Sequence, residues 1–296
     1  MTAYLLLRKA LEARLAPGAL AWLKSATAEI ADGPSSVRFS ALVALASRHA
    51  RRRPLAPQAS ELEAAARLVP GWNPERWNLL ETLRVVLVLA RSDLGGDGTM
   101  LALEEAFRFA DEGEACALYR VLALLPGGER FTWRAGEGCR SNMRSVFEAA
   151  ALDTPFPLRH FEALAWNQCV IKALFVGAPL WRLHGFDQRL SPELARMALD
   201  LAEERRSAGR PVPHELWLCL GKSSGARGLD ALERELVASN PNVAGRCGAL
   251  LAFARAGDTG RLARLEASET DERVRAILVR ARAGETDAAT FRHIQA

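Results

Sequence analysis

Lysine is almost missing from this chain of 296 residues. Only Lys9, Lys24, Lys172 and Lys222 stand among its 39 basic residues, and the other 35 are arginine. With the heavy alanine usage, this reads as base-composition bias in the coding sequence rather than an arginine-based ligand code. The net charge of +4 is too small a surplus over this length to require a polyanionic partner. The densest basic run, RHARRRP at 48–54, lies at a helix C-terminus, where cations complement the helix dipole. It has no interleaved aromatics and no recognition-helix pattern, so no nucleic-acid partner is expected.

Paired cysteines are missing too. Cys116, Cys139, Cys169, Cys219 and Cys247 are odd in number, and no two have CxxC spacing. Neither a disulfide framework nor a zinc site is expected, and no other metal cluster is present. There is no uninterrupted apolar run of about 18 residues, so no membrane insertion is expected. The nearest approach, LRVVLVLAR at 83–91, is too short to cross a bilayer. The start, MTAYLLLRKALEARLAP, has too short an apolar run for a signal peptide, and a cytoplasmic location is the expectation. Walker spacing, GxGxxG after a strand, a GxSxG elbow, HExxH and DxD clusters are all missing, and no cofactor is expected.

What is present is helical. Apolar residues recur close to every 3.6 positions, and strand-like alternation is nearly absent. Helix starts stand at Ser35–Ser36, at Asn73–Pro74, and at Ser191–Pro192, where an N-cap serine precedes proline and Glu193. Breaks fall at Pro54–Pro57, Gly95–Gly98, 126–128, Gly136–Gly138 and Gly177–Pro179. The fold expected is all-α, a helical bundle or α-solenoid. ARAGDT at 254–259 returns as ARAGET at 281–286, 27 positions later, which suggests HEAT-like helix pairs toward the C-terminus. The chain divides into a helical part at 1–135, a motif-bearing core at 136–222 and the repeat-like 223–296, together one continuous domain. Residues 125–139, LPGGERFTWRAGEGC, form the longest irregular segment expected, packed down as a cover by Phe131 and Trp133.

The most polar of the apolar stretches is ALAWNQCVIKALFVGAPLWRLHGFDQR at 163–189. The spacing predicts a helix from Phe156–Pro157 to Val176, with His160, Leu164, Asn167, Ile171 and Leu174 on one face. Being apolar nearly all round, it should be buried. A buried Lys172 would then need a counter-charge or lose its proton, and Asn167 and Gln168 would need partners. Arg182, His184, Asp187 and Arg189 follow in a turn-rich connection; Glu204 and Arg205 come with the next helix, and Arg140 and Asn142 lie upstream in GCRSN. As a brace, these groups would pair internally. As a pocket, Arg140, Lys172, Arg182 and Arg189 would grip an anion, and Asn142, Asn167, Gln168, Asp187, Glu204 and Arg205 would orient it. His160, Lys172 and His184 are the candidates for acid–base work.

Residues 138–217 resemble the EboA family. Its pattern runs GRTN…VFEA, an NPYP-like turn, WNQxVLKALFxGxPL, GLDxR, an ER-containing helix, AGRxV and ELW. Matching residues include Arg140, Asn142, Trp166, Asn167, Gln168, Lys172, Asp187, Arg189, Glu204, Arg205, Arg210 and Trp217. GCRSN replaces GRTN and ALDTPFP replaces the usual turn, and neither change removes the polar groups. The resemblance implies a bacterial gene cluster with a membrane prenyltransferase, a dehydroquinate-synthase-like cyclase and barrel-fold enzymes, serving secondary-metabolite precursors. It carries over no activity and assigns no catalytic residue. From the polar groups, the expectation is an accessory protein that binds a polar anionic metabolite or enzymes of the same cluster. The alternatives are a cofactor-independent enzyme acting on a cyclitol or sugar phosphate by His/Lys chemistry, and an adaptor whose polar cluster is internal bracing.

Overall fold

The computed structural model describes residues 1–223, 225–237, 240–257, 260, 262–264 and 269–294, and of Lys222 the backbone alone. Among the described residues there are helices and turns and no strand; one isolated bridge joins Pro54 to Asn78. The all-α expectation holds. Two compact units divide the chain, residues 1–162 and 163–296.

The first unit carries α1 (Ala3–Glu12), α2 (Pro17–Ala31), α3 (Ser36–Leu45), α4 (Ala59–Leu68), α5 (Leu79–Leu89) and α6 (Asp97–Phe109). It continues with α7 (Glu112–Val121), α8 (Thr132–Arg140), α9 (Arg144–Ala151) and the short α10 (Phe156–His160). The apolar run at 83–91 is largely α5, buried along nearly its whole length and packed against α1, α2, α3 and α7. A run of that length suits a buried core helix and is too short to cross a membrane. Its start lies later than Asn73–Pro74 suggested. Asn73 caps only a turn, its Oδ1 accepting the Glu75 N–H at 2.9 Å. The helix begins at a reciprocal capping box, in which Asn78 Oδ1 accepts the Glu81 N–H and Glu81 Oε2 accepts the Asn78 N–H.

The segment 125–139 is not an irregular cover. It forms a 3-10 turn (Gly128–Phe131) and most of α8. Its glycines suggested a loop, yet Gly138 faces inward, where an added Cβ would lie 2.7 Å from both the Ala150 Cβ and the Tyr119 ring. Close packing of α8 on α9 outweighs the helix penalty of glycine, about 1 kcal/mol. Phe131 is buried as expected, and Trp133 is exposed.

The second unit carries α11 (Ala163–Val176), α12 (Pro192–Ser207), α13 (Gly225–Glu235), α14 (Val243–Ala256) and α15 (Glu272–Arg282). Here α14 is the buried element, with every residue from Gly245 to Phe253 inside. It packs on α13, α15 and a 3-10 segment, His214–Cys219. Gly248 permits that approach, since a Cβ there would collide with the His214 carbonyl. The helices of the repeated ARAG motif end alike, with Gly257 and Gly284 in the left-handed region at φ 86° and 79°. Asp258 and Thr259 of the first copy lie outside the described residues, as do several residues between the copies.

Candidate functional site

The segment 156–176 folds as two helices, not one. Phe161 ends α10 in extended backbone, and α11 starts at Ala163. His160 therefore belongs to the first unit and does not share a helical face with Asn167. It is tilted against Phe156, with ring centroids 4.6 Å apart, and its ring fills the space that a side chain on Gly128 would need. Burial, partly offset by the Glu129 carboxylate and reinforced by Arg159, holds its pKa below the ordinary histidine value.

Nor is α11 buried all round. Trp166, Asn167, Cys169, Val170, Ala173 and Leu174 face inward, while Leu164, Gln168 and Phe175 are exposed. The last three recur at 4 and 7 positions, the spacing of one open helix face. Lys172 is half-buried at the edge of that face, its Nζ 5.5 Å from the Phe175 ring centroid. The helix closes at Gly177, φ 69°, where the Ala178 N–H reaches back to the Ala173 carbonyl at 2.9 Å.

The remaining motif residues of the second unit are held locally. Arg189 lies over the buried Trp166 ring, 5.0 Å from its centroid, and Arg206 lies over Trp217 at 5.4 Å. Glu204 pairs with Arg210, and Arg205 Nε donates to the Pro211 carbonyl at 2.8 Å. Arg182 is buried, His184 is half-buried, and neither is without a partner. Upstream, in the first unit, Arg140 pairs with Glu137 at the end of α8, and Asn142 is exposed two residues later.

Asp187 stands apart, because both its carboxylate oxygens reach far along the chain. Oδ1 accepts from Arg255 at 2.6 Å, and Oδ2 accepts the Ala288 N–H at 3.0 Å, 101 residues away. It edges an open cleft of about 530 Å³ whose other walls include Leu190, Ser223, Arg255, Thr286 and Asp287. This volume is within the range of small-molecule sites. Asp287 is partly committed to capping a 3-10 turn through Thr290, at 2.9 Å to its N–H and 2.8 Å to its hydroxyl. Among the described residues the wall thus offers two carboxylates, one guanidinium and two hydroxyl-bearing side chains. Of these only Asp187 was expected at a site; Arg255 and Thr286 stand in the repeated ARAG motif, which was read as a helix-pair signal and not as a ligand wall.

Glu215, in the HELW motif, was also missed. It is buried, and its Oε2 accepts the Leu180 N–H at 2.7 Å, fixing the turn after α11. A glutamate inside an otherwise apolar run was the available signal. The five cysteines are buried and joined by no disulfide among the described residues. Burial pushes the Cys116 and Cys247 thiols up to about 11, and Cys219 further still, which suits wall groups better than nucleophiles.

A family model described as metabolite traffic protein EboA matches residues 3–221. The chain belongs to the EboA family. No curated protein and no solved structure matches it significantly. The EboA match takes in Asp187, Leu190 and Gly221 on one side of the cleft and ends before Arg255, Thr286 and Asp287 on the other. A family of metabolite traffic proteins supports an accessory role in metabolite handling.

Proposed function

We propose that this EboA protein binds a polar, hydroxyl-bearing metabolite of a secondary-metabolite pathway in the cleft beside Asp187, and passes it on unchanged. The observation that carries this reading is the cleft itself. It has the size of a small-molecule site and meets the family motif at a residue whose carboxylate is held in place from two directions. Carboxylates there accept from ligand hydroxyls, side-chain hydroxyls accept and donate, and Arg255 offers a cation. An anionic group on the same metabolite would find Arg255 already partnered by Asp187, so the hydroxyls carry recognition. The cations expected to grip an anion are engaged nearby, Arg140 by Glu137, Arg189 by Trp166 and Lys172 by Phe175.

The enzyme alternative places acid–base work on His160, Lys172 and His184. His160 and the other two belong to different compact units, and no observation favours them as one catalytic set.

Native mass spectrometry of protein purified from its own host, followed by denaturing extraction, tests the proposal. A co-purifying polyhydroxylated small molecule, lost in Thr286→Val and Ser223→Ala, is the expected result. Protein that returns empty, or whose bound molecule is retained by both variants, removes the cleft as the seat of binding. Turnover of that molecule, abolished in His184→Ala, would establish the enzyme instead.

A further inference from the structure

The first unit holds a second, smaller cavity of about 90 Å³, room for a few waters or one small polyatomic ion. Arg84 reaches it from the centre of α5 and is only 2% exposed. Its Nε donates to the Val43 carbonyl at 3.2 Å and its Nη2 to Glu114 at 3.1 Å, but Nη1 has no hydrogen-bond partner. Asp111 lies 4.0 Å from Nη1, a charge contact beyond hydrogen-bonding reach. A second guanidinium, that of Arg52, also lines the cavity and makes no hydrogen bond or ion pair among the described residues. It lies against Gly113 at the start of α7, in space that a Cβ would fill. Asn78 adds a side-chain amide whose oxygen is used as a helix cap and whose NH₂ is not.

The two carboxylates on the same wall are partly engaged, each through one oxygen. Glu81 takes the Asn78 N–H at 3.1 Å and faces Arg120 at 3.4 Å, and Glu112 takes the Ser145 hydroxyl. Glu114 and Asp111, behind Arg84, cap each other's backbone across the first turn of α7. Beside them stand unmet donors: Arg84 Nη1, the Arg52 guanidinium, the Asn78 amide, and the first-turn N–H groups of Glu112 and Gly113, which no α-helix satisfies internally. Two positive charges sit close together there. Cys116 completes the lining with a thiol that stays protonated and does not repel a negative guest.

We propose that this cavity is a binding site for a small oxyanion, a phosphate, sulfate or carboxylate group, held by Arg52 and Arg84 over the start of α7. Such a group supplies acceptors and negative charge together, and arginine meets it with paired N–H donors. Glu81 and Glu112 limit the guest to one small enough to stay on the arginine side. The site is independent of the cleft beside Asp187.

Inorganic phosphate, sulfate and acetate, each titrated against chloride at constant ionic strength, test the proposal by thermal unfolding and by calorimetry. The expected result is a saturable rise in Tm with one of them, the strongest identifying the class of oxyanion. Arg52→Gln, a change at an exposed position, should weaken that binding about tenfold or more. Gly113→Ala should do the same by displacing the Arg52 side chain, without altering any charge. Oxyanions that shift Tm no more than chloride would show a cavity filled by water only, and oxyanions that saturate equally in Arg52→Gln would place their binding elsewhere; either result overturns the site.

Discussion

Each unit is built around one largely buried helix, and each of those helices carries a buried arginine, but the two arginines are treated differently. In the second unit Arg246 of α14 pairs with Glu269, and both side chains are almost sealed from solvent. Glu269 is fixed further by the N–H groups of Thr270 and Asp271, both at 2.9 Å. Burial alone would raise its pKa; those N–H bonds and Arg246 outweigh it and hold the group below the ordinary glutamate value. In the first unit Arg84 of α5 has Glu114 and Asp111 near it, yet borders a cavity and a second guanidinium. A sealed pair is a brace. Arg246 too keeps one buried nitrogen, Nε, without a hydrogen-bond partner. What sets Arg84 apart is the cavity and the second guanidinium beside its open Nη1, which equip it to meet something that comes and goes.

The difference can be broken by removing one charge from each pair. Glu269→Gln leaves Arg246 charged in a dry site and should destabilise the protein by about 3–5 kcal/mol, measured by urea unfolding. Hydrogen exchange should rise mainly within residues 163–296. Exchange rising equally in both units would mean that they unfold together and that the loss is not local. Glu114→Gln should cost less, about 2 kcal/mol, because the cavity lets water or an anion reach Arg84. A cost equal to that of Glu269→Gln would show that the cavity does nothing for Arg84, and the contrast between the units would fail.

Packing gives a smaller effect. Gly138→Ala forces a methyl group against Ala150 and Tyr119, and should cost about 1–2 kcal/mol through a shift of α8 on α9. A neutral result would mean that α8 stands off from α9 and that Gly138 is tolerated rather than required. The same position shows why part of the fold was hidden in the sequence. Gly136 and Gly138 carry a local signal for a loop, and only a neighbour far along the chain reveals that Gly138 is needed inside a helix.

Helical class was legible because the 3.6 period repeats along the whole chain, and Ser35 and Ser191 cap α3 and α12 as their spacing promised, through the N–H groups of Arg38 and Leu194. Asn73 misled because Asn78 offers a stronger signal five residues later. The continuous helix drawn through Phe161 failed for a related reason: apolar periodicity cannot distinguish one helix from two that abut, and no proline or glycine marks the break. Of the cleft, Asp187 was legible through its motif, while Arg255 and Thr286 were not. The second cavity was invisible to spacing, because Arg52, Asn78 and Arg84 (the cap and the centre of α5), Gly113 and Ser145 come from four separate segments.

Acidification separates the units most gently. Burial lowers the pKa of His160 in the first unit and of His214 in the second; at His160, Glu129 opposes that shift and Arg159 adds to it. In each case the unfolded chain, with a histidine pKa of about 6.5, takes up a proton before the folded chain does. Between the unfolded and folded values the unfolded state binds more protons, so stability falls as pH falls, and the loss is complete once pH lies below the folded value. Carboxylates held low by arginine partners, such as Asp93 beside Arg91, act in a lower window, below the unfolded carboxylate pKa. Unfolding free energy should therefore decline from pH 7 toward pH 5 before any carboxylate is involved. His160→Gln should remove the part of that slope belonging to the first unit, and His214→Asn the part belonging to the second, with hydrogen exchange at each pH assigning the loss. A slope unchanged in the double variant would place the titrating groups elsewhere. A slope removed entirely by one variant would mean that only one of the two units carries an acid-sensitive histidine.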